Sequence, residues 1–229
     1  MTGLVIAAAG GLTREVLVIL AQVGDYDELV LLDDDVSTWG SVIGGATVLG
    51  PTDLVVDRPD HELLVCAGMG ATRRRIVTAW AALGVDPARY ARVVHPAVEV
   101  PIGCSLGRGS IVLAGAVLTA DVRVGRHVVL MPQVVLTHDD VVDDYATLCA
   151  GATLGGGVHV GEGAYLGMNS SVRQNLTVGA HSTLGMGSAL LTDLPPAETW
   201  GGIPARRLRT PHLPAARSST GDPTQEDPA

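Results

Sequence analysis

His138 is the residue of this 229-residue sequence whose neighbours most suggest chemistry. It lies in Leu136-Thr-His-Asp-Asp-Val141, with Asp143 and Asp144 following. An imidazole beside a carboxylate can be held in one tautomer and made more basic, as a general base requires. Asp139 and Asp140 are both candidates for that carboxylate. Eighteen residues beyond His138 is Gly156, inside Gly155-Gly156-Gly157. A glycine stacked beside a base lets a ligand approach the backbone closely. Its N–H can then bind the carbonyl oxygen of a thioester and the oxyanion that develops from it. His61, His127, His159, His181 and His212 read as solvated surface imidazoles, and His95 as a structural residue.

The elements that must position this pair follow from a second pattern. From Val94 to Leu190 every sixth residue is Val or Leu without a break. A fixed period of six marks a parallel β-helix of hexapeptide repeats. Three hexapeptides make a triangular coil of 18 residues, so His138 and Gly156 lie in neighbouring coils. Four residues after each aliphatic position a second inward slot is small or β-branched, as at Ser110, Ala116, Val128 and Ala146. Asp140 falls in that slot and breaks the pattern, so it must turn outward or be hydrogen-bonded. Local breaks of this kind are expected at functional sites. His138, two places after the inward Leu136, is expected to face outward on a strand. About five coils fit the repeat, with no insertion loop.

The first ninety residues have another rhythm. Leu4–Ala9, Leu29–Leu32 and Leu63–Ala67 read as buried strands. Thr13–Val23 and Ala71–Leu83 read as helices from the spacing of their apolar residues. Strands alternating with helices imply a small parallel α/β sheet. Gly10-Gly11 and Gly68-Met-Gly70 precede the two helices, where free N–H groups and the helix dipole suit a phosphate. The domains expected are 1–92 (α/β, Rossmann-like), 93–194 (β-helix), 195–209 (a C-terminal segment) and 210–229 (a tail too poor in apolar residues to fold).

Composition excludes several roles. The formal charge is −9, so nucleic acid and anionic membrane surfaces are not expected partners. No apolar run approaches the ~20 residues of a membrane span. Leu4–Ala9 is too short, and lacks the basic flank, to be a signal peptide. Cys66, Cys104 and Cys149 suit neither a disulfide framework nor a zinc site, so a cytoplasmic protein with reduced thiols is expected.

Four motifs, in this order and spacing, resemble one family over about residues 3–209. They are Ala9-Gly10-Gly11 with Arg14-Glu15-Val16, Val94-His95-Pro96-Ala97, Thr137-His138-Asp139, and Gly202-Ile203-Pro204-Ala205-Arg206. The family is that of the hexapeptide-repeat sugar acyltransferases, of the sialic acid O-acetyltransferase and UDP-amino-sugar N-acetyltransferase type. The resemblance implies a left-handed, trimeric β-helix with acetyl-CoA along a seam between subunits. It implies that His138 is the general base, that Asp139 orients it and that Gly156 binds the thioester carbonyl. Gly202, Ile203, Pro204, Ala205, Arg206 and Arg207 would pass the adenine end of CoA. The N-terminal domain would hold a nucleotide-linked amino sugar, with Gly10, Gly11 and Leu12 near its phosphates and Asp33, Asp34 and Asp35 near the base or ribose. No metal is implied.

Three positions depart from the family pattern. Leu12 stands where a histidine is frequent, Met131 where a polar residue is frequent, and Thr147 where some members have a second histidine. The reading is an N-acyltransferase using acyl-CoA, with transfer to a sugar hydroxyl as the alternative. A non-catalytic binding module that has lost the sugar site is a rival. So is a zinc hydratase on the same prism, but His127, His138 and His159 are 11 and 21 residues apart, which stacks none of them in one column.

Overall fold

The computed structural model describes residues 3–208; the tail 210–229 lies outside the described residues. The N-terminal unit comprises β1 (Gly3–Ala7), α1 (Gly11–Val23), β2 (Glu28–Leu32), β3 (Val42–Ile43), β4 (Ala46–Gly50), β5 (Glu62–Val65) and α2 (Gly70–Ala82). The sheet order is β3-β4-β2-β1-β5. β1 pairs parallel with β2 and β5, and β2 pairs parallel with β4. The β3–β4 hairpin is an addition to the three expected strands. Its two-residue turn, Gly44-Gly45, has φ +55° and +88°. A two-residue hairpin with both central residues in the left-handed region needs such glycines. β1 ends two residues early because Ala8 is left-handed (φ +75°) and the Ala9 N–H donates to Asp33 Oδ2 at 2.7 Å.

From Val93 the chain winds a triangular prism of two-residue strands, the arrangement that fits a left-handed parallel β-helix. One wall carries Ile111–Val112, Val129–Leu130, Thr147–Leu148 and their counterparts. The next along the chain carries Val117–Leu118, Val135–Leu136 and Thr153–Leu154. The third carries Arg123–Val124, Val141–Val142 and His159–Val160. Partners in each wall are 18 residues apart, as the repeat requires. The inward aliphatics from Val112 to Leu190 form one core, with the corner slots filling it. Leu154 is 2 % exposed there. Leu154→Ala is expected to cost about 2–5 kcal/mol, because a truncated core leucine leaves a cavity that neighbours only partly close; the midpoint of chemical denaturation reads this.

The corners explain an irregular-looking set of residues. Asp121, His127, Gln133, Asp139, Tyr145, Asn169, Asn175 and His181 all have φ between 54° and 63°. Each is the third residue of a tight four-residue turn, a seat glycine takes elsewhere, as at Gly157. Asp and Asn tolerate this region better than most residues.

The strand ladder continues past Leu190. Thr199–Gly201 pairs with Thr183–Leu184, and Arg206–Arg207 folds back antiparallel on it. The hairpin between them closes the prism with Ala205, which is 1 % exposed.

The N-terminal unit covers the first wall. Leu12, Val16, Leu17, Ile19 and Leu20 share one apolar cluster with Ile111, Leu113 and Val129. α2 seats its first turn on the corner that follows the third wall. A Cβ on Gly70 would lie 2.1 Å from Tyr145 O, so only glycine permits this approach. Gly70 thus serves docking, and the expected phosphate turn at Gly68–Gly70 is engaged by the prism. Arg73, fully buried one turn on, completes the joint. It donates to Ala67 O, Gly68 O, His127 O, Tyr145 O, Ala146 O and Thr147 Oγ1, all within 2.8–3.0 Å.

His127 corrects an expectation. It is 3 % exposed, edge-on to Tyr90 and stacked on Tyr145 at a centroid distance of 5.2 Å. Its corner lies beneath the N-terminal unit, a contact no local pattern announces. Burial, reinforced by Arg73, pushes the imidazole down to about 4. A depressed value means that its contribution to stability is complete above about 6.5 and is lost as pH falls toward 4. Among the described residues no helix is long and apolar enough to cross a membrane.

Candidate active site

His138 sits in the corner between the second and third walls, on the turn after Val135–Leu136 rather than on a strand. It faces outward, as expected, and its side chain is 69 % exposed. Its Nδ1 is 2.8 Å from Asp139 Oδ2. The left-handed backbone of Asp139 (φ +63°) folds that carboxylate back beside the ring of the preceding residue. With Nδ1–H donating to the carboxylate, Nε2 is left with a lone pair directed away from the pair. That is the tautomer a base needs. Asp139 is thus the partner, while Asp140 is fully buried in its inward slot and hydrogen-bonded there.

Gly156 lies against the imidazole from the next coil. A Cβ on it would come within 2.4 Å of His138 Cε1 and Nε2. Its φ is not in the left-handed region. The glycine is therefore required by close approach and not by conformation. The two corners are joined through Gly157 N–H, which donates to His138 O at 2.9 Å. The Gly156 N–H donates to no other described residue. A lone-pair acceptor and a free amide donor thus meet at one corner. This pairing suits an addition step in which a proton leaves the nucleophile while negative charge builds on a carbonyl oxygen.

A second His–Asp pair escaped the sequence. His159 Nε2 is 2.8 Å from Asp143 Oδ2, on the third wall beside the same corner. The signal was a spacing of 16, one coil less two, which places both side chains on one face. His61, with acidic residues on both sides of it, instead pairs with Glu28 at 3.1 Å. Nδ1 of His95 accepts from Ala97 N–H at 3.2 Å, which pins the junction turn. Among the described residues no three His, Cys, Asp or Glu side chains form a metal-binding group.

The structure brings Gly10, Gly11 and Asp33 together at the carboxyl edge of the parallel strands. The α1 N-cap, Gly10, supplies no side-chain acceptor, and a Cβ on Gly10 or Gly11 would meet nothing within 4 Å. Asp33 also accepts from Asp35 N–H at 2.8 Å. Asp34 accepts from Thr52 N–H and Oγ1 and lies 3.4 Å from Arg75. Burial raises its carboxyl, but those bonds outweigh it and the net shift is downward. Asp35 caps Ser37, whose two bonds lower its carboxyl.

The three departures lie in the joint between the N-terminal unit and the prism. Leu12 is 7 % exposed and Met131 packs on the same cluster. Thr147 is 1 % exposed, donating to Gly68 O and accepting from Arg73. Leu12 is therefore turned into the core and not toward a ligand at the edge.

At the C-terminal end, Ile203 is 80 % exposed and the Ile203–Pro204 peptide is cis. Arg206 is exposed, and Arg207, also exposed, lies 3.4 Å from Glu198. Ala205 faces the core, so it cannot face a ligand as well. A cleft of about 370 Å³ between α2 and the prism is lined by Arg74, Tyr145, Glu162 and His181; it belongs to a different corner from His138.

No protein-family model and no curated protein matches the chain. Solved structures do. The acetyltransferase domain of PglB from Neisseria gonorrhoeae is 33 % identical, with a TM-score of 0.83 over 91 % of this chain and 100 % of that one. A second structure of that domain, in complex with acetyl coenzyme A, is 33 % identical with a TM-score of 0.83 over 90 % of this chain and 98 % of that one. PerB from Caulobacter crescentus, in complex with CoA and GDP-perosamine, is 27 % identical with a TM-score of 0.82 over 91 % and 98 %.

Proposed function

This chain belongs to the hexapeptide-repeat sugar acetyltransferases and is an acetyl-CoA-dependent acyltransferase; we propose that it acylates the amino group of a nucleotide-linked amino sugar. The observation that carries the reading is the contact of a carboxylate-held imidazole with a glycine whose N–H is free.

The step runs as direct transfer. The acceptor nitrogen attacks the thioester carbonyl carbon and gives its proton to His138 Nε2. Asp139 steadies the imidazolium that forms. The tetrahedral oxyanion takes a hydrogen bond from Gly156 N–H. The C–S bond then breaks, and the departing thiolate takes up the proton from the imidazolium. Cys149, buried and with its thiol raised chiefly by burial, is not a nucleophile.

The acceptor site is assigned to the Rossmann-like N-terminal domain, at Gly10, Gly11 and the Asp33–Asp35 edge. That domain covers the first wall, whereas His138 occupies the opposite corner of the prism. One chain therefore presents the sugar edge and the base on opposite sides. The reading therefore includes a closed homotrimer of left-handed prisms, in which the corner of one subunit would meet the sugar edge of the next. Acetyl-CoA is assigned to that seam, in a cytoplasmic enzyme.

The test incubates the purified protein with acetyl-CoA and a panel of UDP-, GDP- and dTDP-linked amino sugars. It follows free thiol release and the mass of each sugar. Gain of one acetyl group on an amino sugar is expected. Acylation of hydroxyl acceptors alone would move the reading to O-transfer. Replacing Arg206 and Arg207 with Ala is expected to raise KM for acetyl-CoA with little change in kcat. Exposed guanidinium groups on phosphates remote from the thioester bind ground and transition state alike. A fall in kcat at unchanged KM would remove the C-terminal hairpin from the CoA site.

A further inference from the structure

We infer that Asp140 is a positioning residue for the transfer step, tying the His138 corner to the Gly156 corner from inside the prism. The inference rests on the catalytic reading above. The ladder itself shows the tie. In the neighbouring coils, the N–H after the inward aliphatic bonds to the coil above: Thr119 N–H to Leu136 O, and Gly155 N–H to Val172 O. Thr137 breaks this rule. Its N–H turns to Asp140 Oδ2 at 2.7 Å, and its hydroxyl takes over the bond to Leu154 O at 3.0 Å. The strand pairing records the same gap, with Val135 opposite Thr153 and no second pair. The other carboxylate oxygen accepts from Val158 N–H at 2.9 Å, two residues beyond Gly156. In corners such as Ala152 and Ala164 that N–H closes its own turn instead.

Asp140 therefore fixes the Leu136–Thr137 peptide, one residue ahead of His138, and the turn that holds Gly156. It also places a second negative charge behind His138, where an imidazolium must form. The charged groups acting on it are His138, which favours its ionised form, and Asp139, which opposes it. The corner slots stacked on either side hold Val122 and Val158, neither of them ionisable. Burial is the largest influence and pushes the carboxyl up to about 6. A raised value means that the stability it contributes is complete below the ordinary 3.8 and is lost as pH rises through about 6. At neutral pH the ionised form thus costs stability and yet supplies both bonds. A costly group at such a place is expected to serve function.

The test is Asp140→Ser, with Asp140→Asn beside it. Ser110 shows that a serine fits this slot: it accepts from Val128 N–H at 3.0 Å and donates to Gly125 O at 2.8 Å. Serine at 140 can repeat those bonds with Val158 and Gly155, and it frees Thr137 to rejoin the ladder. Asp140→Ser is expected to denature at the same or a higher midpoint at pH 7.5, yet to lose roughly 10- to 100-fold in kcat through misplacement. The acid limb of log kcat/KM should be steeper in the wild type than in either variant, by the proton that Asp140 takes up. A structural role alone would move stability and activity together and leave the slope unchanged. An active wild type that Asp140→Ser matches in kcat at every pH overturns this inference alone. A wild type inert toward every amino sugar overturns the transferase reading and this inference with it.

Discussion

His138→Ala is expected to lose about 10²–10⁴ in kcat, the usual contribution of a positioned general base. The loss should come with little change in acetyl-CoA binding, since the imidazole acts on the acceptor's proton and not on the cofactor. Asp139→Asn should lose less, because the ring and its stacking on Gly156 remain while the support of the imidazolium weakens. Both side chains are more than half exposed, so their ion pair contributes little to stability. The variants should therefore denature with the wild type, which separates loss of chemistry from loss of fold. Single-turnover kinetics with a saturating amino sugar gives the chemical rate directly. A His138→Ala protein that transfers acetyl at the wild-type rate would remove the proposed base.

Arg73→Met is expected to cost about 3–5 kcal/mol, because several buried carbonyls lose a charged donor at once and each unmet acceptor costs about 1–3 kcal/mol. Two large terms compete at this residue. Removing the guanidinium from water costs several kcal/mol. Six bonds from a charged donor, each contributing about 1.5–3 kcal/mol, offset it. Burial pulls the group down to about 10, so it remains a cation at neutral pH. Methionine keeps most of the volume but leaves the carbonyls of Ala67, Gly68, His127, Tyr145 and Ala146 without this donor. Arg73→Lys should fall between, because one ammonium cannot span acceptors on both sides of the joint. Denaturant titration of the three proteins gives the ranking. Equal midpoints would mean that the joint is held by its apolar contacts alone.

The repeat was the most legible part of the chain because a β-helix writes its geometry into every sixth residue. Leu130, Leu136, Val142 and Leu148 each answer one physical demand at one spacing. His138 and Gly156 were legible for the same reason, since a period of 18 converts sequence distance into contact. The N-terminal edge was legible in its strands but not in its hairpin, where β3 is only two residues long. Contacts between the two units were not legible. Arg73 reads like Arg74 and Arg75, yet it lies on the helix stripe of Gly70, Ile76 and Trp80, and that phase was the available clue. His127 looked like any polar corner residue because its burial comes from a different part of the chain.

A prism of stacked coils behaves as a one-dimensional chain of units, each coupled to the next. Such a stack frays from its ends. Here the N-terminal unit staples the stack through α1 on the first wall and α2 on the Tyr145 corner, and the far end is stoppered by the hairpin bearing Ala205. His138 and Gly156 occupy adjacent units well inside both ends. Local opening is costliest there, so the spacing between base and amide is protected by depth in the stack as much as by any single bond. In the proposed mechanism, precision becomes a property of position along a fibre-like array, and lengthening or shortening either end by whole coils would leave the spacing of His138 and Gly156 intact.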